Sequence, residues 1–157
     1  MKTLILAVLN WLHLIATVIW VGGITFVLFI ALPSAKELLG AEAGKIMGII
    51  SRRFTLYANY SILLLIVTGI AIVALSGGLS SIRGSDLSLA GAFILKHIAV
   101  LVMVAIHFYR GLVLTRRIKS APPSKQPGLQ KLSLNLVKVN FTLGLGVLLL
   151  SAVKSSG

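Results

Sequence analysis

Two stretches of this chain, residues 3–35 and 54–82, carry no charged residue, and nothing else in the sequence constrains the fold as strongly. A helix needs about 20 apolar residues to cross the hydrocarbon of a bilayer, so each stretch is long enough. Two further apolar stretches, near 88–115 and 132–153, bear only Lys96 and Arg110 in the first and Lys138 in the second. With 57% hydrophobic and 11% charged residues, the chain has too few polar side chains to cover a soluble globule. Lipid offers the backbone no hydrogen-bond partners, which restricts spanning segments to helices or closed barrels. The sequence therefore predicts an all-α integral membrane protein. Its single transmembrane domain over 1–157 is read as a four-helix bundle, with spans near 4–32, 54–76, 88–115 and 132–153. Short connections favour an up-down-up-down order. The first span is too long for the apolar part of a leader and contains Asn10 and His13, so it is read as a mature helix.

The net charge of +12 is distributed by topology. Lys36, Lys45, Arg52 and Arg53 fall between the first two predicted spans, and Arg116, Arg117, Lys119, Lys125 and Lys131 between the last two; the other face has Lys2, Arg83 and Lys154. By the positive-inside rule both basic connections are expected in the cytoplasm and both termini outside, in the cytoplasmic membrane. Anionic headgroups of the lipid bilayer are the expected counter-charge. Aromatic residues are not interleaved with the basic ones, which argues against nucleic acid. The connection AEAGKIMGIISRRF, from Ala41, has a helical period and extends the second span. RRIKSAPPSKQPGLQ, with Pro122, Pro123 and Pro127, reads as an extended linker, and SGGLSSIRGSD as a plain turn.

The available chemistry is narrow. There is no cysteine, and the only acids are Glu37, Glu42 and Asp86, all outside the predicted spans. Paired-carboxylate hydrolysis and hard-cation cages are improbable on that inventory. Three imidazoles remain, His13, His97 and His107, and a ring nitrogen inside a membrane is a candidate functional group by default. His13 lies nine residues into the first span and His97 nine residues into the third, which runs in the same direction. Counted this way they meet at one depth on diagonal helices. That is the geometry of a bis-histidine haem b. Two other readings stay open: both rings hydrogen-bond across the bundle, or they bind copper with Met103 as a soft thioether.

His107 lies ten residues beyond His97, roughly 15 Å along the helix, and needs a different partner. At its depth the first span offers Trp20, Gly22 and Gly23, the second Tyr57, Asn59 and Tyr60, the third Tyr109 and Arg110, and the fourth Asn135, Lys138 and Asn140; Arg52 and Arg53 crown this end. The cluster suggests a second haem with His107 as its single protein ligand and catalytic centre. Arg52, Arg53, Arg110 and Tyr60 would contact its polar edge, with Trp20, Gly22 and Gly23 beside the ring. The competing reading is an interfacial aromatic belt with basic residues reaching lipid phosphates, and a Gly-Gly pair that serves helix packing.

The stretch WLHLIATVIWVGG, with His13 ahead of Trp20-Val21-Gly22-Gly23, resembles the first helix of the CopD-like copper resistance D membrane family. Arg53-Phe54 opening the second span, the Thr68-Gly69 pair and the histidine-bearing third span are similar too. The resemblance covers most of the chain at the level of layout and implies copper handling at the cytoplasmic membrane. More loosely, the chain resembles membrane b-type haem cytochromes of the b561-like group, which implies one six-coordinate haem. Sequence alone thus favours a di-haem oxidoreductase taking electrons from a quinol or another membrane donor. A small diatomic oxidant, O₂, superoxide or nitric oxide, is its expected second substrate, including a nitric oxide dioxygenase-like reaction. The alternative is a copper transport or copper resistance protein in which His13, His97, His107 and Met103 form successive weak sites. A blander reading is a structural subunit. Small-residue faces such as Gly144 and Gly146 would support a homo-oligomer.

Overall fold

The computed structural model describes residues 1–77 and 87–155, with side chains over 1–77 and 91–152. Among the described residues the secondary structure is entirely helical. Three helical courses are long and apolar enough to cross a membrane: Lys2–Ser76, Gly91–Ser120 and Gln126–Ala152. The chain divides into two compact units, Met1–Ala90 and Gly91–Gly157.

The first unit is a helical hairpin. Its outgoing arm joins α1 (Lys2–Thr17), α2 (Gly23–Phe26) and α3 (Leu32–Leu39) through single π-type turns at Val18–Gly22 and Val27–Ala31. The sequence predicts a stop near residue 32, ahead of Pro33. Instead Pro33 occupies the first turn of α3 and the helix continues to Leu39. Proline is tolerated in a first turn, where its missing N–H is least needed. The wide turn just before it makes room for its ring.

The chain reverses at the tight turn Gly40–Glu42. Gly40 has φ +49° and ψ −115°, a conformation that costs glycine little because it has no Cβ. The return arm, α4 (Ala43–Ser76), is unbroken and ends on Gly77 at φ +68°. It begins well before the predicted span start at 54, so Arg52 and Arg53 are helical residues. The two arms run antiparallel: His13 meets Thr68 and Gly69 at one end, and Gly23 meets Phe54 further along. Small side chains supply much of the buried seam, namely Ala16, Ala31, Ala35, Ala43, Ala58 and Ser61. Large apolar ones such as Leu14, Val18, Phe29, Leu63 and Ile70 are exposed. That distribution suits lipid, where association depends on close backbone approach rather than on hiding apolar surface.

In the second unit α5 (Leu87–Phe108) passes through a π-type turn at Tyr109–Leu114 into α6 (Thr115–Ser120), and α7 (Gln126–Ser155) follows. The proline-rich linker is shorter and more ordered than an extended segment. Ala121 is extended ahead of Pro122, as the residue before proline prefers. Lys125 N–H donates to the Pro122 carbonyl at 2.9 Å, and Gln126 Nε2 to the Ala121 carbonyl at 3.1 Å. Pro127 lies in the first turn of α7, where it initiates the helix instead of breaking it. The helix therefore starts ahead of the predicted boundary at 132. Arg110 Nε donates to Ser133 Oγ at 3.1 Å and ties the two long helices together. The turn predicted over 76–86 lies, beyond Gly77, outside the described residues.

A methyl group placed on Gly23 would overlap the Phe54 ring, whereas one on Gly22 would meet nothing within 4 Å. Gly23→Ala is expected to destabilise the hairpin by about 1–3 kcal/mol, the usual cost of overpacking. Gly22→Ala should leave stability nearly unchanged. Thermal unfolding in detergent measures both, and Phe54→Leu introduced with Gly23→Ala should recover most of the loss.

Candidate functional site

His13 is the best-defined of the three imidazoles. It projects from α1 onto α4, and its Nδ1 lies 2.8 Å from Thr68 Oγ1. Thr68 is only 1% exposed, and its hydroxyl has a single proton to place. Oγ1 is 2.6 Å from the Leu64 carbonyl and 3.4 Å from the Leu65 carbonyl, both of which can only accept. The Thr68 proton therefore points along its own helix, and the proton in the His13 contact belongs to Nδ1. This fixes the tautomer: Nδ1–H donates to Thr68 and Nε2 carries the lone pair. Gly69 completes the cradle, since a Cβ there would stand 3.6 Å from His13 Cε1. Thr17 Oγ1 donates to the His13 carbonyl at 2.8 Å and seals the backbone at the same level.

His97 reaches the same tautomer by a different route. Its Nδ1 is 2.7 Å from the Phe93 carbonyl one turn back. A carbonyl cannot donate, so Nδ1 bears the proton and Nε2 the lone pair. The ring leans on Phe93, with centroids 4.1 Å apart, and the residue is exposed on α5. A ring whose second N–H is held by a protein oxygen is the usual state of a metal-ligating histidine. His13 lies in the first unit, and His97 and His107 in the second.

His107 is 5% exposed and Met103, one turn before it, 2%. Arg110 and buried Leu114 continue the same face at the spacing of successive helical turns. A π-type turn begins two residues after His107, and the Thr115 hydroxyl donates to the Arg110 carbonyl at 2.9 Å. On α7 the buried face reads Ser133, Val137, Asn140 and Gly144, also at helical spacing; Ser133 and Asn140 are seven residues apart and point the same way. Asn140 is 3% exposed, and its Oδ1 has no hydrogen-bond partner among the described residues. Such an acceptor costs about 1–3 kcal/mol when nothing satisfies it.

The polar cluster expected around His107 separates by helix face. Asn140 is buried, whereas Asn135 and Lys138 are exposed on α7, and Tyr57, Asn59 and Tyr60 are exposed on α4, Tyr60 at 72%. Arg52 and Arg53 are exposed, and Tyr109 is 40% exposed. Matched depth does not imply matched face, because a shift of one residue rotates a helical side chain by about 100°. Arg110 is half-buried and engaged with Ser133. Trp20 is buried and Gly22 open, but the space beside Gly23 is taken by the Phe54 ring. Sequence reasoning noted the Thr68-Gly69 pair without its role as the support of His13. It grouped Asn140 with Asn135 and Lys138, although the helical repeat counted from Ser133 separates them. Among the described residues, no three His, Cys, Asp or Glu side chains gather closely enough to hold a metal ion.

Comparison with known families gives a match to Copper resistance protein D over residues 48–154. The chain belongs to the Copper resistance protein D family. No curated protein and no solved structure matches it. The matched region takes in the Thr68-Gly69 cradle, His97, Met103, His107 and Asn140; His13 lies ahead of it and joins it through its bond to Thr68. The family is copper-related by name, and the ligand types present in this member, imidazole and thioether, are ones that copper accepts.

Removing the Thr68 hydroxyl tests the cradle. Thr68→Val should cost about 1–3 kcal/mol in detergent unfolding, the penalty for an unpaired buried donor, and Thr68→Ser should retain most of the stability. With only three histidines in the chain, nitrogen NMR of the ¹⁵N-histidine protein can follow each ring. The His13 signals should report the Nδ1–H form in the parent protein and lose that preference in Thr68→Val.

Proposed function

We propose that this protein handles copper in the cytoplasmic membrane, with the metal as its cargo. In this reading the hairpin arms of the first unit and the two long helices of the second give four spans, up-down-up-down. Both basic connections lie in the cytoplasm and both termini outside, as the lysine and arginine distribution supports. The observation that carries the proposal is the family match over residues 48–154, because it includes most of the candidate ligands. His97 precedes the Met103–His107 pair on a single helix, six residues or roughly 9 Å ahead of Met103. His13 supplies a further imidazole on α1. Sites that are few, weak and spaced along a path let an ion enter and leave. Copper fits this donor set better than zinc, calcium or magnesium, since there is no thiolate and no carboxylate in the spans.

A second reading, a b-type haem protein, draws on one observation. His13 and His97 both hold Nδ1–H against a protein oxygen, an arrangement that equally suits axial ligands. Haem would supply one-electron chemistry between a membrane donor such as quinol and a small oxidant. His107, Arg52, Arg53, Arg110, Tyr60, Trp20, Gly22 and Gly23 would serve a second haem. Phe54 against Gly23 weighs against a macrocycle at that point.

The two readings differ in colour. On the copper reading, protein purified from haem-supplemented cells shows no Soret band and binds Cu(I) in competition with a colorimetric chelator, and expression alters cellular copper content. Thr68→Val should weaken binding at His13 by about 10–100-fold, the range for losing a group that orients a ligand. A Soret band with sharp reduced α and β bands, together with no Cu(I) binding, would replace copper with haem.

A further inference from the structure

Two helices of the second unit, α5 and α7, carry three buried side chains of types that can ligate a soft metal. Met103, His107 and Asn140 are all at least nine-tenths buried in the second unit, on segments apolar enough to lie in a membrane. The Arg110–Ser133 bond sets the register between these antiparallel helices. Met103 precedes Arg110 by seven residues and Asn140 follows Ser133 by seven, two helical turns in each case. Both therefore fall at one level and on the faces that the bonded pair already brings together. His107 lies one turn from Met103 on that same face. The amide oxygen of Asn140 is a buried acceptor with no partner among the described residues.

Resting on the copper reading above, we infer that Met103, His107 and Asn140 form a single site for a soft monovalent cation, Cu(I), inside the second unit. Thioether and imidazole are neutral donors that hold Cu(I) at low coordination number. The Asn140 oxygen turns the negative end of its dipole towards the ion. Charge decides between oxidation states. There is no carboxylate in the second unit to offset a bound ion, and the only acids of the chain are Glu37, Glu42 and Asp86. Arg110 places a guanidinium one turn from His107. Its repulsion of a divalent ion is twice that of a monovalent one at the same distance. The same site therefore favours Cu(I) or its analogue Ag(I) over Zn(II) and Cu(II).

The test uses the full-length protein in detergent, titrated anaerobically with Cu(I) against a chelator and separately with Ag(I) and Zn(II). Copper X-ray absorption is recorded on the loaded protein. The parent should show a sulfur neighbour to copper, and Met103→Leu, close in volume and shape, should abolish that signal. Asn140→Leu should weaken Cu(I) by about 10–100-fold, and His107→Gln should weaken it at least as much. Arg110→Gln should narrow the preference for Ag(I) over Zn(II), which a purely structural arginine would not affect. If Met103→Leu retains the sulfur signal and the parent affinity, or if only His13→Ala and His97→Ala lose copper, the site is wrong and the wider copper reading stands. If the parent binds neither Cu(I) nor Ag(I), both fall.

Discussion

Hydrocarbon offers no water to hydrogen-bond, and every polar group in a spanning segment must find its partner in protein. Most of the hydroxyls here solve this locally. Thr17, Thr25, Thr55 and Ser151 each donate to the carbonyl four residues back in their own helix. Asn10 does the same with its amide. Bonds made this way cost the fold nothing in specificity, because they form in any helix regardless of its neighbours. Two contacts that carry more information cross between helices: His13 to Thr68 in the first unit and Arg110 to Ser133 in the second. Each fixes depth and rotation for a pair of helices whose seam would otherwise be small and nearly featureless.

The first of these contacts couples fold to chemistry. A hairpin lined with alanine and serine has many registers of similar packing, since small side chains make shallow ridges. Phe54 over Gly23 supplies one steric stop and His13 against Thr68 a polar one, about ten residues apart along the outgoing arm. A slip by one residue would strand the imidazole N–H in an apolar seam. The residue that pins the register is thus also the one presenting a basic nitrogen, and the two roles meet in a single hydrogen bond. Thr68 can play its part only because its own proton is already committed to Leu64.

What could be read from the sequence and what could not divide along the same line. Uncharged runs reveal the helices and their approximate extent, because the bilayer demands length and apolarity and little else. Their ends are harder. Pro127 reads as part of an extended linker and Pro33 falls just past the expected end of the first span, yet each lies in a first turn, a position that hydropathy does not distinguish from a helix interior. Among the candidate residues, the imidazoles stand out by rarity, and the family resemblance seen around His13 agrees with the match found over residues 48–154. The environment of His107 was not recoverable from depth alone. Asn135, Lys138 and Asn140 are close in sequence, but only Asn140 faces inward. Rotation about the helix axis, set here by Arg110 and Ser133, is the missing coordinate.

On the copper reading, the charge inventory limits which ion can be carried. Moving an ion from water into a medium of low dielectric constant costs an energy that rises with the square of its charge, so a divalent ion needs carboxylates or thiolates to cancel it. The apolar spans expected at 4–32, 54–76, 88–115 and 132–153 have neither, and Arg110 and Lys138 add positive charge within them. A neutral ligand set of imidazole, thioether and amide suits an ion of single charge and soft character, with strength drawn from polarizable donors rather than from opposite charge. On the copper reading, that constraint favours the cuprous over the cupric state. A small donor set is also consistent with that reading, since Cu(I) is content with two or three neighbours where zinc and calcium need four or more.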